Sequence, residues 1–194
     1  HAGICSMYQQ GTSAFAQTKG LSIAGKSATA ASSDATQAEC IIFTTDIATL
    51  EANDLLRHEV FGPCSIVTKC NAKDDMLRFA RSLDGQLTAT IHGTPEDLRQ
   101  HADLVRILER KVGRIIFNGF PTGIEVCPSM HHGGPYPAAS HSFFTSIGTA
   151  SIYRFVRPVC YQGFPDDALP ELLQAKNSRG GFRLVDGALT QADA

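Results

Sequence analysis

Residues 64–118 read CSIVTKCNAKDDMLRFARSLDGQLTATIHGTPEDLRQHADLVRILERKVGRIIFN, and the way two periods alternate in this stretch decides the fold. Cys64 to Cys70 is a short apolar run between Pro63 and Asn71, which reads as a strand. Asn71 is placed to cap a helix over 72–83, with Asp74 in its first turn and Met76, Phe79, Ala80 and Leu83 on one face. Residues 87–92 form the next apolar run. Thr94-Pro95-Glu96-Asp97 then combines a capping hydroxyl, a proline at the first helical position and acids in the first turn, which predicts a helix start. Leu98, Ala102, Val105 and Leu108 continue its buried face, Gly113 is expected to end it, and residues 114–118 form a third strand. A β-α-β-α-β series implies a parallel sheet with flanking helices, an α/β fold. Short strands without strict alternation suit a sheet buried on both faces.

Upstream of this series stands Glu59-Val60-Phe61-Gly62-Pro63. A carboxylate and an aromatic ring lie two residues apart, held by a Gly-Pro turn at a strand entrance. A carboxylate so placed suits hydrogen bonding to a ribose, and the ring suits packing on a flat heterocycle. Further upstream, Ile4, Met7, Tyr8 and Phe15 recur at helical spacing over 4–18 despite Gly11, and residues 39–45 read as a strand. Between them lies an Ala/Ser/Thr/Gly-rich stretch, 20–38, expected to be a loop with a short strand at 21–23. Downstream, residues 119–141 abandon regularity, with Gly and Pro recurring from Gly119 to Pro137. A long loop leaving the carboxyl end of a parallel strand is where such sheets place ligands. Residues 142–153 are expected to be helical. The segment 154–161, opening at Arg154 and closing at Tyr161, reads as an edge or exchanged strand because Pro158 interrupts it. A tail with a short helix near 169–173 and a final apolar stretch completes the chain. This divides it into residues 1–153, a partial catalytic domain, and 154–194, an oligomerisation strand with a carboxyl-terminal tail.

The composition narrows the class. The chain has 194 residues, enough for one domain with a real core. Charged residues make up 19%, below the roughly 25% usual in globular domains, which suggests surface covered by a partner or by more of the same protein. The net charge of −2 and scattered basic residues give no field for nucleic acid. Six cysteines, none in a Cys-x-x-Cys pair, read as reduced thiols of a cytoplasmic protein. No run approaches the roughly 18 apolar residues of a membrane span. The chain opens His1-Ala2-Gly3-Ile4 directly into a helical pattern without Met, so a portion of a longer protein is expected.

Three other chemistries compete. Gly20 to Ser27 matches GxxxxGK[ST], a phosphate-binding loop in which Lys26 would reach the outer oxygens. That loop needs a buried strand before it and a helix after it, and here a helix precedes it. His131 and His132, with Cys127 and His141 nearby, complete no zinc spacing and read better as polar loop residues or as histidines lining an organic substrate pocket. Cys40, Cys64, Cys70 and Cys160 lie in strand-like runs and Cys5 on a helix, and Cys127, in the irregular loop, has no activating base around it, so none is assigned as a nucleophile.

Taken together, these residues resemble the carboxyl-terminal portion of an aldehyde dehydrogenase. Glu59-Val60-Phe61-Gly62-Pro63 is similar to the family's Glu-x-Phe-Gly-Pro motif, and Arg114-Ile-Ile-Phe-Asn118 to the strand that ends in Asn before the substrate loop. His131-His132-Gly133-Gly134-Pro135-Tyr136-Pro137, where most members carry Pro-Phe-Gly-Gly, resembles the α-ketoglutaric semialdehyde (2,5-dioxovalerate) dehydrogenase branch, whose relatives include NADP-preferring fatty aldehyde dehydrogenases. The resemblance implies NADP or NAD as cofactor, with Glu59 on the nicotinamide ribose and Phe61 by the nicotinamide ring. It implies a small aldehyde substrate walled by Phe120, Ile124 and Glu125, and a homo-oligomer paired through Arg154 to Tyr161. It also implies that the nucleophilic Cys, the general-base Glu and the dinucleotide-binding domain lie upstream of His1, leaving this chain inactive alone. The alternative is a stand-alone, non-catalytic interaction or regulatory chain with this fold.

Overall fold

A computed structural model describes residues 1–32 and 35–194. It divides into two compact units, His1–Ser151 and Ile152–Ala194.

The first unit opens with helix α1, Ala2–Ala16. Tyr8, Thr12 and Phe15 are its buried face, spaced four and three residues apart as a helical stripe requires. Strand β1, Ser22–Lys26, follows, then β2, Ile41–Asp46. Asp46 accepts a hydrogen bond from the Thr49 amide at 2.8 Å and so caps α2, Ile47–Ala52. A 3-10 turn at Asp54–Arg57 leads to β3, Cys64–Lys69. Helix α3, Lys73–Ser82, strand β4, Gln86–Ile91, helices α4, Pro95–Gln100, and α5, Ala102–Leu108, and strand β5, Val112–Phe117, complete the series.

The expected α/β alternation is present, but its strands divide between two sheets. β2 lies at the centre of the first, antiparallel to β1 and parallel to β3, with Ile41 opposite Cys64. β4 and β5 pair in parallel as a second, two-stranded sheet, with Gln86 opposite Val112 and Ile91 opposite Phe117. β3 alternates half-buried and exposed positions, so one of its faces is open rather than both being covered. The core centres on Phe43, fully buried, which meets Phe15 edge-to-face at 5.7 Å and packs with Ile47, Leu50 and Leu56.

Local signals held where they were local. Thr94 and Asp97 form the expected capping box: the Asp97 amide donates to Thr94 Oγ1 at 3.1 Å, and the Thr94 amide donates to Asp97 at 2.7 Å. Other expectations are corrected. The helix beginning there breaks at His101, so two short helices replace one. Ala72, not Asn71, precedes α3, without a side-chain cap, and Leu77 joins Ala80 as its buried residue. Gly113 lies inside β5 rather than ending a helix. The helix expected over 142–153 forms only a 3-10 turn at Thr149–Arg154.

In the second unit, 3-10 turns at Asp166–Ala168 and Glu171–Leu173 replace the expected short helix. Its apolar tail folds as an antiparallel hairpin, β6, Arg183–Val185, with β7, Ala188–Thr190. Residues 155–161 are exposed and join no ladder among the described residues.

Candidate functional site

The segment 58–63 crosses the face of α1, and α1 is shaped to receive it. A Cβ on Gly11 would lie 2.8 Å from Val60 Cγ1, and a Cβ on Gly62 would lie 2.2 Å from Tyr8 Cδ2. Val60 packs onto the core, and the Tyr8 hydroxyl donates to the Glu39 carbonyl just before β2. Burial pushes the Tyr8 hydroxyl up to about 12. The Pro63 carbonyl accepts from the Ile41 amide at 3.0 Å, which ties the segment's far end to β2. With Val60 held inward, its neighbours Glu59 and Phe61 turn outward.

Phe61 is 67% exposed. Both residues line an open cleft of about 530 Å³, together with Leu56, His58 and Ser65. The Glu59 carboxylate has no hydrogen bond or ion pair among the described residues. Glu59 also borders a second cleft, of about 690 Å³, lined by Arg57, Asp84, Gln86 and Thr88 and closed by Pro137 of the long loop. A free carboxylate and a bare ring on one edge can hold a polyhydroxyl group and a flat ring side by side.

Phe120, Ile124 and Glu125 stand elsewhere, beyond the carboxyl ends of β4 and β5, and line neither cleft. Phe120 is 78% exposed and tilts against the His92 ring at 5.6 Å. Ile124 is half-buried and Glu125 exposed. The loop that carries them is anchored at its root by Asn118, whose φ of 51° turns the chain out of β5. The Asn118 side chain accepts from the Gly93 amide at 2.9 Å and donates to the Gly93 carbonyl at 2.8 Å. Arg114 grips the loop further on, donating to the Pro121 carbonyl at 2.9 Å and the Gly123 carbonyl at 3.0 Å.

The second half of the loop is held by backbone packing. Gly133 and Gly134 are buried, and a Cβ on Gly113 of β5 would lie 2.1 Å from the Gly133 carbonyl oxygen. The Gly85 amide donates to the Tyr136 carbonyl at 3.2 Å. Buried Thr145 accepts from the His132 amide at 2.8 Å. The role of Arg114 went unread in the sequence. The available signal was a guanidinium inside a strand expected to be covered on both faces.

The competing sites take other shapes. Gly25 and Lys26 lie in the bulged strand β1, so the backbone there serves a ladder rather than cradling a phosphate. Lys26 pairs with Glu39 at 3.8 Å. The cysteines are all unpaired, and burial pushes the Cys64 thiol up, against thiolate formation. Among the described residues the Cys127 thiol has the Ser129 hydroxyl as its hydrogen-bond partner, at 3.4 Å.

The fold is that of the aldehyde dehydrogenases. The solved betaine aldehyde dehydrogenase from Staphylococcus aureus in complex with NAD+ matches 85% of this chain and 32% of its own, with a TM-score of 0.57 at 14% identity. The Δ-pyrroline-5-carboxylate dehydrogenase from Mycobacterium tuberculosis matches 88% of the chain and 32% of its own, with a TM-score of 0.53 at 13% identity. In sequence the chain is similar to one branch of these enzymes, the alpha-ketoglutaric semialdehyde dehydrogenases. It is 43% identical over 189 residues, 95% of its length, to alpha-ketoglutaric semialdehyde dehydrogenase 2 of Azospirillum brasilense. It is 46% identical over 191 residues, 97% of its length, to the alpha-ketoglutaric semialdehyde dehydrogenase of Acinetobacter baylyi. The chain spans about a third of these curated relatives, 35% and 36%. No protein-family model matches it. No helix among the described residues is long and apolar enough to cross a membrane.

Proposed function

We propose that the chain is the later part of the catalytic domain of an aldehyde dehydrogenase that oxidises a small semialdehyde, 2,5-dioxovalerate, to its carboxylic acid with NADP or NAD. The observation that carries this reading is the unpartnered Glu59 carboxylate beside the exposed Phe61 ring on one cleft edge. These residues fit a nicotinamide nucleotide: the carboxylate can accept from two ribose hydroxyls and the ring can lie against the nicotinamide. When bound, the nicotinamide supplies the hydride acceptor. Glu59 would hold the nicotinamide ribose hydroxyls, and Phe61 would pack by the nicotinamide ring. The loop from Gly119 to Pro137 walls the aldehyde pocket, with Phe120, Ile124 and Glu125 in contact with substrate. The likeness to two alpha-ketoglutaric semialdehyde dehydrogenases supports the substrate named.

The attacking thiolate and general base come, in this reading, from residues outside the chain, so the isolated chain does not turn over. Residues 154–161 pair with a second copy in a cytoplasmic oligomer, a role suited to the exposed Phe155, Val156 and Val159.

The test is Glu59→Gln in the full-length enzyme. The Michaelis constant for the nucleotide or kcat should worsen by at least about tenfold while the aldehyde constant holds. Unchanged nucleotide kinetics would remove the assignment, and NAD(P)H formation by the isolated chain would overturn its inactivity.

A further inference from the structure

We propose that Arg114 is the positioning residue of the aldehyde loop: by gripping the Pro121 and Gly123 carbonyls it holds Phe120 and Ile124 in the shape that admits substrate. The inference rests on the reading of that loop as a pocket wall.

Arg114 sits in β5 opposite Thr88, and its guanidinium reaches forward to the loop that the same strand releases. No backbone amide among the described residues donates to the Pro121 or Gly123 carbonyl. Arg114 is therefore the partner of both. A guanidinium presents its donors in a rigid planar fork, so its two terminal nitrogens can hold two carbonyls two residues apart. A lysine ammonium carries its donors on one atom and does not reproduce the planar fork. The same nitrogen that bonds Gly123 lies 3.8 Å from Met130 Sδ, so the grip extends toward the loop's second half. Among the described residues the buried Arg114 Nε has no hydrogen-bond partner, so the guanidinium's bonds are those of its two terminal nitrogens.

Asn118 fixes where the loop leaves the strand, and Arg114 fixes how it curves three to five residues later. Phe120 and Ile124 flank the gripped carbonyls. Without the fork, the stretch 119–124 keeps its root but loses its curvature.

Two variants and two readouts, both in the full-length enzyme, test this. Arg114→Met should speed limited proteolysis within 119–124 by about tenfold, with cleavage elsewhere unchanged. Arg114→Lys should not restore resistance. Arg114→Met should also raise the aldehyde Michaelis constant by about tenfold while kcat and the nucleotide constant hold. Unchanged cleavage in the loop overturns the grip, and so does full rescue by lysine, which would assign the role to charge. Faster cleavage spread equally over the whole enzyme overturns it too, because Arg114 would then serve packing. Faster loop cleavage with unaltered aldehyde kinetics overturns the positioning role. A full-length enzyme without aldehyde activity would instead defeat the functional reading, leaving the proteolysis result to decide the grip.

Discussion

Gly11 of α1 lies directly beneath Val60: a Cβ there would come within 2.8 Å of Val60 Cγ1 and 2.9 Å of Cγ2. The helix meets the segment bearing Glu59 and Phe61 at the one position in its stripe that lacks a side chain. Gly11→Ala gains up to about 1 kcal/mol of helix propensity but overpacks the contact by about 1–3 kcal/mol. Net destabilisation is expected in chemical denaturation. In a Val60→Ala background the same change should become stabilising, and equal effects in both backgrounds would refute the contact.

Tyr8 carries a pH signature. Its folded pKa of about 12 lies above the ordinary tyrosine value near 10. Its contribution is thus complete below pH 10 and is lost as pH rises toward 12, because the unfolded chain releases the proton first. Tyr8→Phe should cost about 1 kcal/mol at neutral pH through the bond to the Glu39 carbonyl, and should flatten the alkaline loss. An alkaline unfolding curve identical to that of the unaltered chain would assign that loss to other groups.

Asn118 combines a left-handed backbone with two hydrogen bonds to Gly93. Asn118→Ala loses both bonds and adds backbone strain, about 2–4 kcal/mol in all, whereas Asn118→Gly keeps the backbone and should cost less. Thermal unfolding of the pair measures the difference. The reverse order would mean that the backbone conformation is not what Asn118 supplies.

Gly113→Ala would place a methyl 2.1 Å from the Gly133 carbonyl, and the opposing atom is backbone that cannot swing aside. We expect the segment 131–137 to detach from β5, read as accelerated proteolysis within it, at a cost of about 1–3 kcal/mol. Retained resistance would show that the two strands of backbone do not meet.

The capping box of α4 should fail in acid. Hydrogen bonds from Thr94 hold the Asp97 carboxyl below its usual range. Its contribution is present above the unfolded carboxylate pKa, roughly 4, and is lost as pH falls through the lower folded value. Thr94→Ala should remove that part of the acid dependence, which denaturation at a series of acidic pH values would detect.

What could be read from the residues tracks how far each determinant reaches along the chain. Thr94 and Asp97 specify a helix start within four residues, so the sequence suffices. The strand periods of 64–69 and 86–91 are equally local. Which strands share a sheet is decided by partners dozens of residues away, and the division into two sheets left no local mark. Gly113 was mistaken for a helix end because its reason for being glycine is the Gly133 carbonyl, 20 positions on. The outward pairing of Glu59 and Phe61 was accessible because they lie two apart in extended chain. The reach of Arg114 was not, since a carbonyl acceptor has no residue type to recognise.

The two halves of the long loop differ in what anchors them. Residues 119–124 hang from side chains, those of Asn118 and Arg114, whereas 131–137 press backbone against backbone at Gly113 and Gly85. Insertions and deletions should therefore be accepted between Val126 and Ser129, past the carbonyls that Arg114 holds, and rejected from His131 to Pro137. The stretch between the two anchored parts is then free to vary in length, while the part beyond it keeps one fixed gauge.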